Sequence, residues 1–438
     1  MEYPQGSARM SPKKTSTLEV PRIRFELACG AQLLVSPRPG APVTAARFHV
    51  RGGSALDPDG MEGLAYLTGR LTDQGTPGRG EADFAAEIEP AGGEISGSSS
   101  GLTGSIAGDS WKLLLELMGE LFTQASYPTQ AVLAQRSRFV DRLSIQEDDP
   151  RSQGARLFRE LVYGDHHLGR SHYGTATSVA GIAPKDLRSF RKKNWTGKRL
   201  WISICGDVDP LKVRRHLDKL LSGVKPGSAY QASSSSFPKL GRRTAAFTRD
   251  REQAHVYLGH LGVRRKTPDW AAIVVMDHVL GSGPGFTNRI SRILRDEQGL
   301  AYSVHADLHG SAGLLPGAFT AYIGTSPENV GTAVAGFRSE ISRIQDERVP
   351  KDELEMAKDY LIGSFPMGYE RASRRAAYLV GAELHKHPED HLELLPKAYA
   401  AVTPADVQAA ARAHLHPDNC CLAAAGPVRL KQLKSLIN

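Results

Sequence analysis

Apolar residues recur along this chain in two rhythms. A period of two marks strands. Residues 23–35 read as a strand pair around the tight turn Cys29-Gly30-Ala31, Val43–Val50 as a third strand, and 94–108 as two strands rich in Ser and Gly. Residues 200–205 read as a β-rich strand closed by Gly206-Asp207. Helical spacing appears at Leu64, Leu67 and Leu71, so the stretch 63–76 reads as a buried helix. Further helices are predicted over 83–91 (Phe84, Ile88), 111–122, 129–146 and Pro184–Asn194, the last opened by its proline.

The pattern then repeats. Residues 182–208 align without gaps with 402–428: Pro184 matches Pro404, Asp186 matches Asp406, Gly206 matches Gly426 and Val208 matches Val428. Each unit is a helix followed by a strand at the end of a half. Residues 227–243 between the halves are polar and Ser-rich, which marks a linker. The expected fold is α+β. It has two homologous domains, each a mostly antiparallel sheet with helices packed on one face. The expected boundaries are a flexible polar arm over 1–20, a first domain over 21–226, a linker over 227–244 and a second domain over 245–438.

A net charge of +8 is mild over 438 residues, and its basic clusters (191–193, 242–243, 264–266) carry no interleaved aromatics. Nucleic acid is therefore not an expected partner. No apolar run approaches the ~18 residues of a membrane span, and the first twenty residues lack the apolar core of a signal peptide. Cys29, Cys205, Cys420 and Cys421 form no Cys-x-x-Cys pair and read as buried free thiols, which fits a reducing compartment. The expected location is the cytoplasm, or the periplasm or exterior if a leader has been removed.

Around the first buried helix, the residues Gly53-Ser54, Pro58, Gly60, Gly63-Leu-Ala and Gly75-Thr76 resemble the frame of the pitrilysin/insulysin-like zinc peptidases, the inverzincins. That group includes the mitochondrial-processing-peptidase-like subunits. The resemblance covers nearly the whole chain from about Ile23 and implies two halves enclosing a cleft. Active members carry His-x-x-Glu-His in this frame: two imidazoles hold zinc and the Glu activates water. Here the five positions read Tyr66-Leu67-Thr68-Gly69-Arg70. The third ligand, a Glu on a later helix, maps to Arg142 by counting back from Glu147-Asp-Asp-Pro150, or to Asp141 with a slip of one residue. Arginines at ligand positions repel a divalent cation. No metal or other cofactor is expected in this chain. Gly69 in mid-helix costs about 1 kcal/mol relative to Ala, which points to close packing or to relaxed constraint.

The second half is better supplied. Residues 279–304 resemble the family's C-terminal signature: a Gly-rich loop, a helix, then Leu-Arg-x-x-x-Gly-Leu-Ala-Tyr-Ser. In active relatives the Arg and the Tyr reach across the cleft to the substrate backbone. The matching residues are Arg295 and Tyr302. Arg donates in a fixed fork, and a phenol can donate to a carbonyl gaining negative charge. Gly281, Gly283 and Gly285 match a loop that contacts substrate in non-catalytic processing-peptidase subunits; without Gly-Lys-Ser/Thr it is no phosphate loop. Relatives also bind peptide along a sheet edge, here near Ser96-Gly97, where Gly and Ser hold register poorly.

His387-Pro-Glu-Asp-His391 imitates a zinc helix by spacing alone. Pro388 and the charged neighbours instead read as a solvated helix start with surface histidines. His166, His167 and His172 lie in a segment that the resemblance assigns to bracing the fold, with His166 hydrogen-bonded. Taken together, the expectation is a zinc-less subunit, inactive alone. It would pair with a zinc-bearing inverzincin-like chain of similar size to hydrolyse a peptide substrate. The alternative is an inert scaffold or a peptide-binding protein of the same fold.

Overall fold

The computed structural model describes residues 18–232, 236–284 and 288–437. The first half runs β1 (Ile23–Glu26), β2 (Gln32–Pro37), β3 (Val43–Val50), α1 (Leu64–Arg70), α2 (Glu81–Ile88), β4 (Glu94–Ser98), β5 (Gly101–Ala107), α3 (Trp111–Gln124), α4 (Thr129–Asp148), α5 (Pro150–Tyr163), α6 (Ala176–Ala180), α7 (Pro184–Asn194), β6 (Leu200–Gly206) and α8 (Pro210–Leu220). The second runs β7 (Arg243–Thr248), β8 (Ala254–Leu261), α9 (Trp270–Asp277), β9 (Ala301–Asp307), β10 (Ala318–Thr325), α10 (Val330–Asp346), α11 (Lys351–Ser364), α12 (Ala372–His385), α13 (His391–Ala401), α14 (Pro404–His414), β11 (Cys421–Gly426) and α15 (Leu430–Ile437).

The two sheets repeat one plan. Their strand orders are β1-β2-β6-β3-β5-β4 and β7-β11-β8-β10-β9, and all pairs are antiparallel except β2 with β6 and β7 with β11. The repeat read from sequence becomes α7 with β6 and α14 with β11, and each of those strands lies inside its sheet. Both helices open on proline, and Asp186 and Asp406 each accept a hydrogen bond from the backbone at the helix start (2.9 Å in both).

Strands β6 and β11 are apolar almost throughout because both their faces are covered. On one face Leu200, Ile202 and Ile204 meet α3 and α8, while Leu422 and Ala424 meet the core built from α9, α10 and α14. The sequence placed helices on this face. The opposite face is covered as well, by one helix from the other half. α12 lies on β3 and β6, where Ser203 donates to the Ala376 carbonyl (2.7 Å) and Ala45, Cys205, Ala372 and Ala376 keep the contact thin. α5 lies on β8 and β11, packing Phe158 and Val162 against Tyr257, Tyr322, Cys421 and Ala423. Gly154 permits this approach, since a Cβ there would stand 2.8 Å from the Tyr257 ring. Each half therefore completes the core of the other.

The expected arm over 1–20 is described only from Leu18, and Val20 is buried with Leu34, Leu379 and Leu392. Within the Ser-rich stretch, residues 233–235 lie outside the described residues, and Phe237 packs on Tyr163 and His166. His166 is buried and accepts from the Leu168 amide (3.2 Å), the bracing role expected of it. All four cysteines are buried and free. Among the described residues no helix is long and apolar enough to cross a membrane.

Candidate functional site

Helix α1 is held at its start by Asp57, whose carboxylate accepts from the Gly63 amide (3.0 Å) and the Ala65 amide (2.7 Å). Burial pushes this carboxyl up to about 6 against those two bonds. Leu64, Leu67 and Leu71 pack with Tyr127, Leu143, Val179 and Leu187, and the Tyr127 hydroxyl donates to the Thr68 carbonyl (2.8 Å). The helix cannot turn or slide without breaking this set.

The four zinc-frame positions then diverge. Tyr66 meets the Phe139 ring in a tilted contact (5.1 Å between centroids, 31° between planes) and Tyr173 edge-on (4.7 Å). Arg142 reaches the same Phe139 ring at 5.8 Å. Arg70 points to solvent and pairs with Asp73 at 3.4 Å. Gly69 has no room for any side chain: a Cβ would overlap the Ser98 carbonyl of β4, and a Cβ on Gly97 would overlap the Gly69 carbonyl. Close packing, rather than relaxed constraint, explains this glycine. The position where the resemblance places a general-base carboxylate is thus filled by the backbone of the edge strand. An aromatic ring, a backbone contact and two guanidiniums do not fit zinc. The same contact occupies the Ser96-Gly97 stretch of β4.

Among the described residues, one group of three ligand-type side chains converges, and it is elsewhere: Asp277, Asp307 and His309. Fully buried Asp277 accepts through Oδ2 from the Leu308 and His309 amides (2.7 Å each) and from His309 Nδ1 (2.6 Å). That oxygen is committed to a brace tying α9 to the end of β9.

In the second half, Tyr302 stands on the outer strand β9 with 95% of its surface exposed. Arg295 lies in a π-helical turn, Ser291–Glu297, and its Nε donates to Asp296 (2.9 Å). Gly281 is buried in a second π-helical turn, His278–Ser282, where a Cβ would stand 2.7 Å from the Ala306 backbone of β9. The Gly283 carbonyl accepts from the Asn288 side chain (2.8 Å), and Gly285 lies outside the described residues. Buried Arg289 forks onto Glu353 of α11 (2.8 and 2.7 Å) and fixes the helical turn that carries Arg295. Sequence reading passed over this pair, because nothing near Arg289 marks a partner 64 positions away.

Two sheets of one plan with exchanged covering helices define a two-domain α+β fold, with the first buried helix packed closed against an edge strand. Residues 181–361 match the family described as the peptidase M16 inactive domain. That match and the relatives described as zinc proteases point to the same group as the resemblance read from the sequence. An uncharacterised zinc protease of Streptomyces coelicolor is 26% identical over 428 residues, covering 94% of this chain and 91% of that protein. One from Mycobacterium tuberculosis is 26% identical over 433 residues, covering 96% of each. Among solved structures, an M16 inactive domain from Pseudomonas fluorescens has a TM-score of 0.85 at 21% identity, covering 93% of this chain and 98% of that one. A protease from Helicobacter pylori has a TM-score of 0.84 at 18% identity, covering 94% and 100%.

Proposed function

We propose that this chain is the zinc-less subunit of a heterodimeric metallopeptidase. A partner of similar size would supply the zinc, with its Lewis acidity and activated water. This chain would supply a wall of the site that positions the peptide. The Arg295 guanidinium would donate to a backbone carbonyl of the substrate, and the Tyr302 phenol to the scissile carbonyl oxygen as it gains negative charge. The observation that carries this reading is the contrast between a zinc frame closed by packing and a Tyr302 left 95% exposed on an edge strand. A phenol in that position does nothing for the fold and is free to meet a substrate. Gly281, being buried against β9, would shape the loop, while Gly283 lies nearer its surface.

The test is peptidase activity on a quenched peptide library. This chain alone, an M16 chain with intact His-x-x-Glu-His from the same genome alone, and the two mixed are compared. Activity that appears only in the mixture, and falls with Arg295→Ala or Tyr302→Phe, is the expected result. Chelator-sensitive cleavage by this chain alone would sink the proposal. A second reading, an inert scaffold, draws on one likeness: a chain of complex III from Candida albicans shares the fold at a TM-score of 0.75 and 14% identity. No complex and no activity on mixing would favour it.

A further inference from the structure

Pro388, Glu389 and Asp390 form the solvated helix start expected from sequence, but His387 and His391 are half-buried rather than surface histidines. α12 ends at His385, Lys386 turns left-handed (φ 54°), and α13 begins only at His391. Pro388 sits in the connection, so no helix presents the two histidines together. Their rings instead stack face to face, 3.7 Å apart and 4° from parallel, with the His385 ring stacked on His387 at 5.5 Å. All three are half-buried.

These rings line a cavity of about 530 Å³ shared by α11, α12, α13 and the loop before α9, a size that suits a small organic ligand. Arg265 and Arg374 also line it, and no Asp or Glu does. Neither guanidinium has a carboxylate partner among the described residues; Arg265 rests over the Trp270 ring (5.4 Å). The nearby acids are engaged elsewhere. Glu383 and Glu389 pair with Arg24 (2.6 and 2.7 Å), and buried Arg22 binds Glu389 (3.1 Å) and the carbonyls of His387 and Pro388. Asp390 alone adds negative charge beside His391. The Tyr378 hydroxyl and His385 Nδ1, on residues of the cavity wall, have no hydrogen-bond partner but are themselves closed off from the space, so the groups facing it are the arginines, His387 and His391. Tyr369, Tyr399 and Phe365 supply the apolar wall.

Donors thus converge on a space that offers few acceptors. The missing partner is an anion. A cation would face Arg265 and Arg22, and the three histidines do not form a convergent ligand set. A phosphate monoester brings up to two charges and three acceptor oxygens, against one charge and two oxygens for a carboxylate, and matches more of the donors. We propose that this cavity binds an organic phosphate, its phosphoryl group held by Arg265, His387 and His391 and its apolar body lying against Tyr369 and Tyr378. The site does not depend on the proposed peptidase role.

Burial and the surrounding arginines hold His387 down to about 3 and His391 down to about 4. A bound dianion reverses that field, so binding takes up protons. The experiment is calorimetric titration of the whole chain with phenyl phosphate at pH 6.5, in two buffers of different ionisation enthalpy. Inorganic phosphate, benzoate and zinc chloride serve as competing probes. One saturable site with net proton uptake is expected. Arg265→Gln should weaken it by about tenfold or more, as loss of a charged hydrogen bond does, and His387→Gln should lower the proton uptake. Arg374→Gln, at an exposed residue, gives a second variant free of folding concerns and should also weaken binding. No saturable binding, binding untouched by all three variants, or tighter binding of zinc would overturn the proposal. Equal affinity for inorganic phosphate would remove its organic part.

Discussion

In the first half, α1 lies on the outer strand β4 through Gly69; in the second, the turn His278–Ser282 lies on the outer strand β9 through Gly281. Both junctions put helical backbone against strand backbone, and both forbid a Cβ. Their surroundings differ. Around Gly69 the rings of Tyr66, Phe139 and Tyr173 close the space with carbon. Around Gly281, core residues Val279, Leu280 and Ala306 are joined by polar groups: His278 bonds the Val274 carbonyl (3.1 Å), and Asp277 braces His309 (2.6 Å). The strand beyond carries an exposed tyrosine. The fold requires the glycine contact in each half and leaves the adjoining side chains free to diverge. Where the resemblance places zinc ligands, packing fills the space.

The largest effect should come from filling the first junction. Gly69→Ala drives a Cβ into the Ser98 carbonyl, and backbone on both sides must move. Overpacking of this kind should cost at least about 3 kcal/mol, outweighing the ~1 kcal/mol that Ala gains in a helix. A thermal melt should show Tm lower by roughly 3 °C or more. A variant of unchanged Tm would mean that α1 and β4 can separate, and that the frame is not closed. Tyr66→Ala comes next. It removes a partly buried ring from two aromatic contacts and should cost about 2–3 kcal/mol. Tyr66→His, which restores one ligand type, should bind no zinc by metal analysis of the purified chain, because Gly69, Arg70 and Arg142 are unchanged.

Much of this was legible in the chain. The gap-free match of 182–208 with 402–428 announced two sheets of one plan, because a helix that caps its sheet and a strand buried on both faces leave strong local signals. Gly69 stood out for the same reason: a glycine in mid-helix needs an explanation. The exchange of α5 and α12 was not legible. An amphipathic stripe such as Phe158 and Val162 states that a helix has a buried face, not which sheet it covers. The histidine cavity was hidden by its neighbours. Glu389 and Asp390 read as a solvated helix start, yet Glu389 is turned towards Arg22 and Arg24, residues more than 360 positions away.

A smaller effect should follow acidity. His387 and His391 are lowered from an ordinary 6.5 to about 3 and about 4, mainly by burial and then by neighbouring histidines and arginines. Both stay neutral in the folded chain while the unfolded chain takes up protons near pH 6.5. The unfolded state therefore binds more protons below that point. The associated stability is complete above about pH 6.5 and is lost as pH falls towards 4. Denaturant melts across that window should show a shallower decline for His387→Gln/His391→Gln than for the wild type. Equal slopes would place the two rings in open water, as the sequence had them, and would end the contrast between their motif and their setting.

The smallest structural effect should be at the second junction's surface. Tyr302→Phe keeps the ring and its preference for strands, and removes one hydroxyl from a side chain that is 95% exposed. Stability should stay within about 0.5 kcal/mol of the wild type, as surface changes of this kind do. In the mixture with a zinc-bearing partner, the same change should lower peptide hydrolysis by about 100-fold, the usual loss when one donor to a developing oxyanion is removed. The two readouts must separate for the comparison to hold. If Tm falls by several degrees, Tyr302 has a packing role after all, and its exposure carries no functional message. If Tm and activity both stand, the phenol donates to nothing, and the substrate wall must be sought around Arg295 alone.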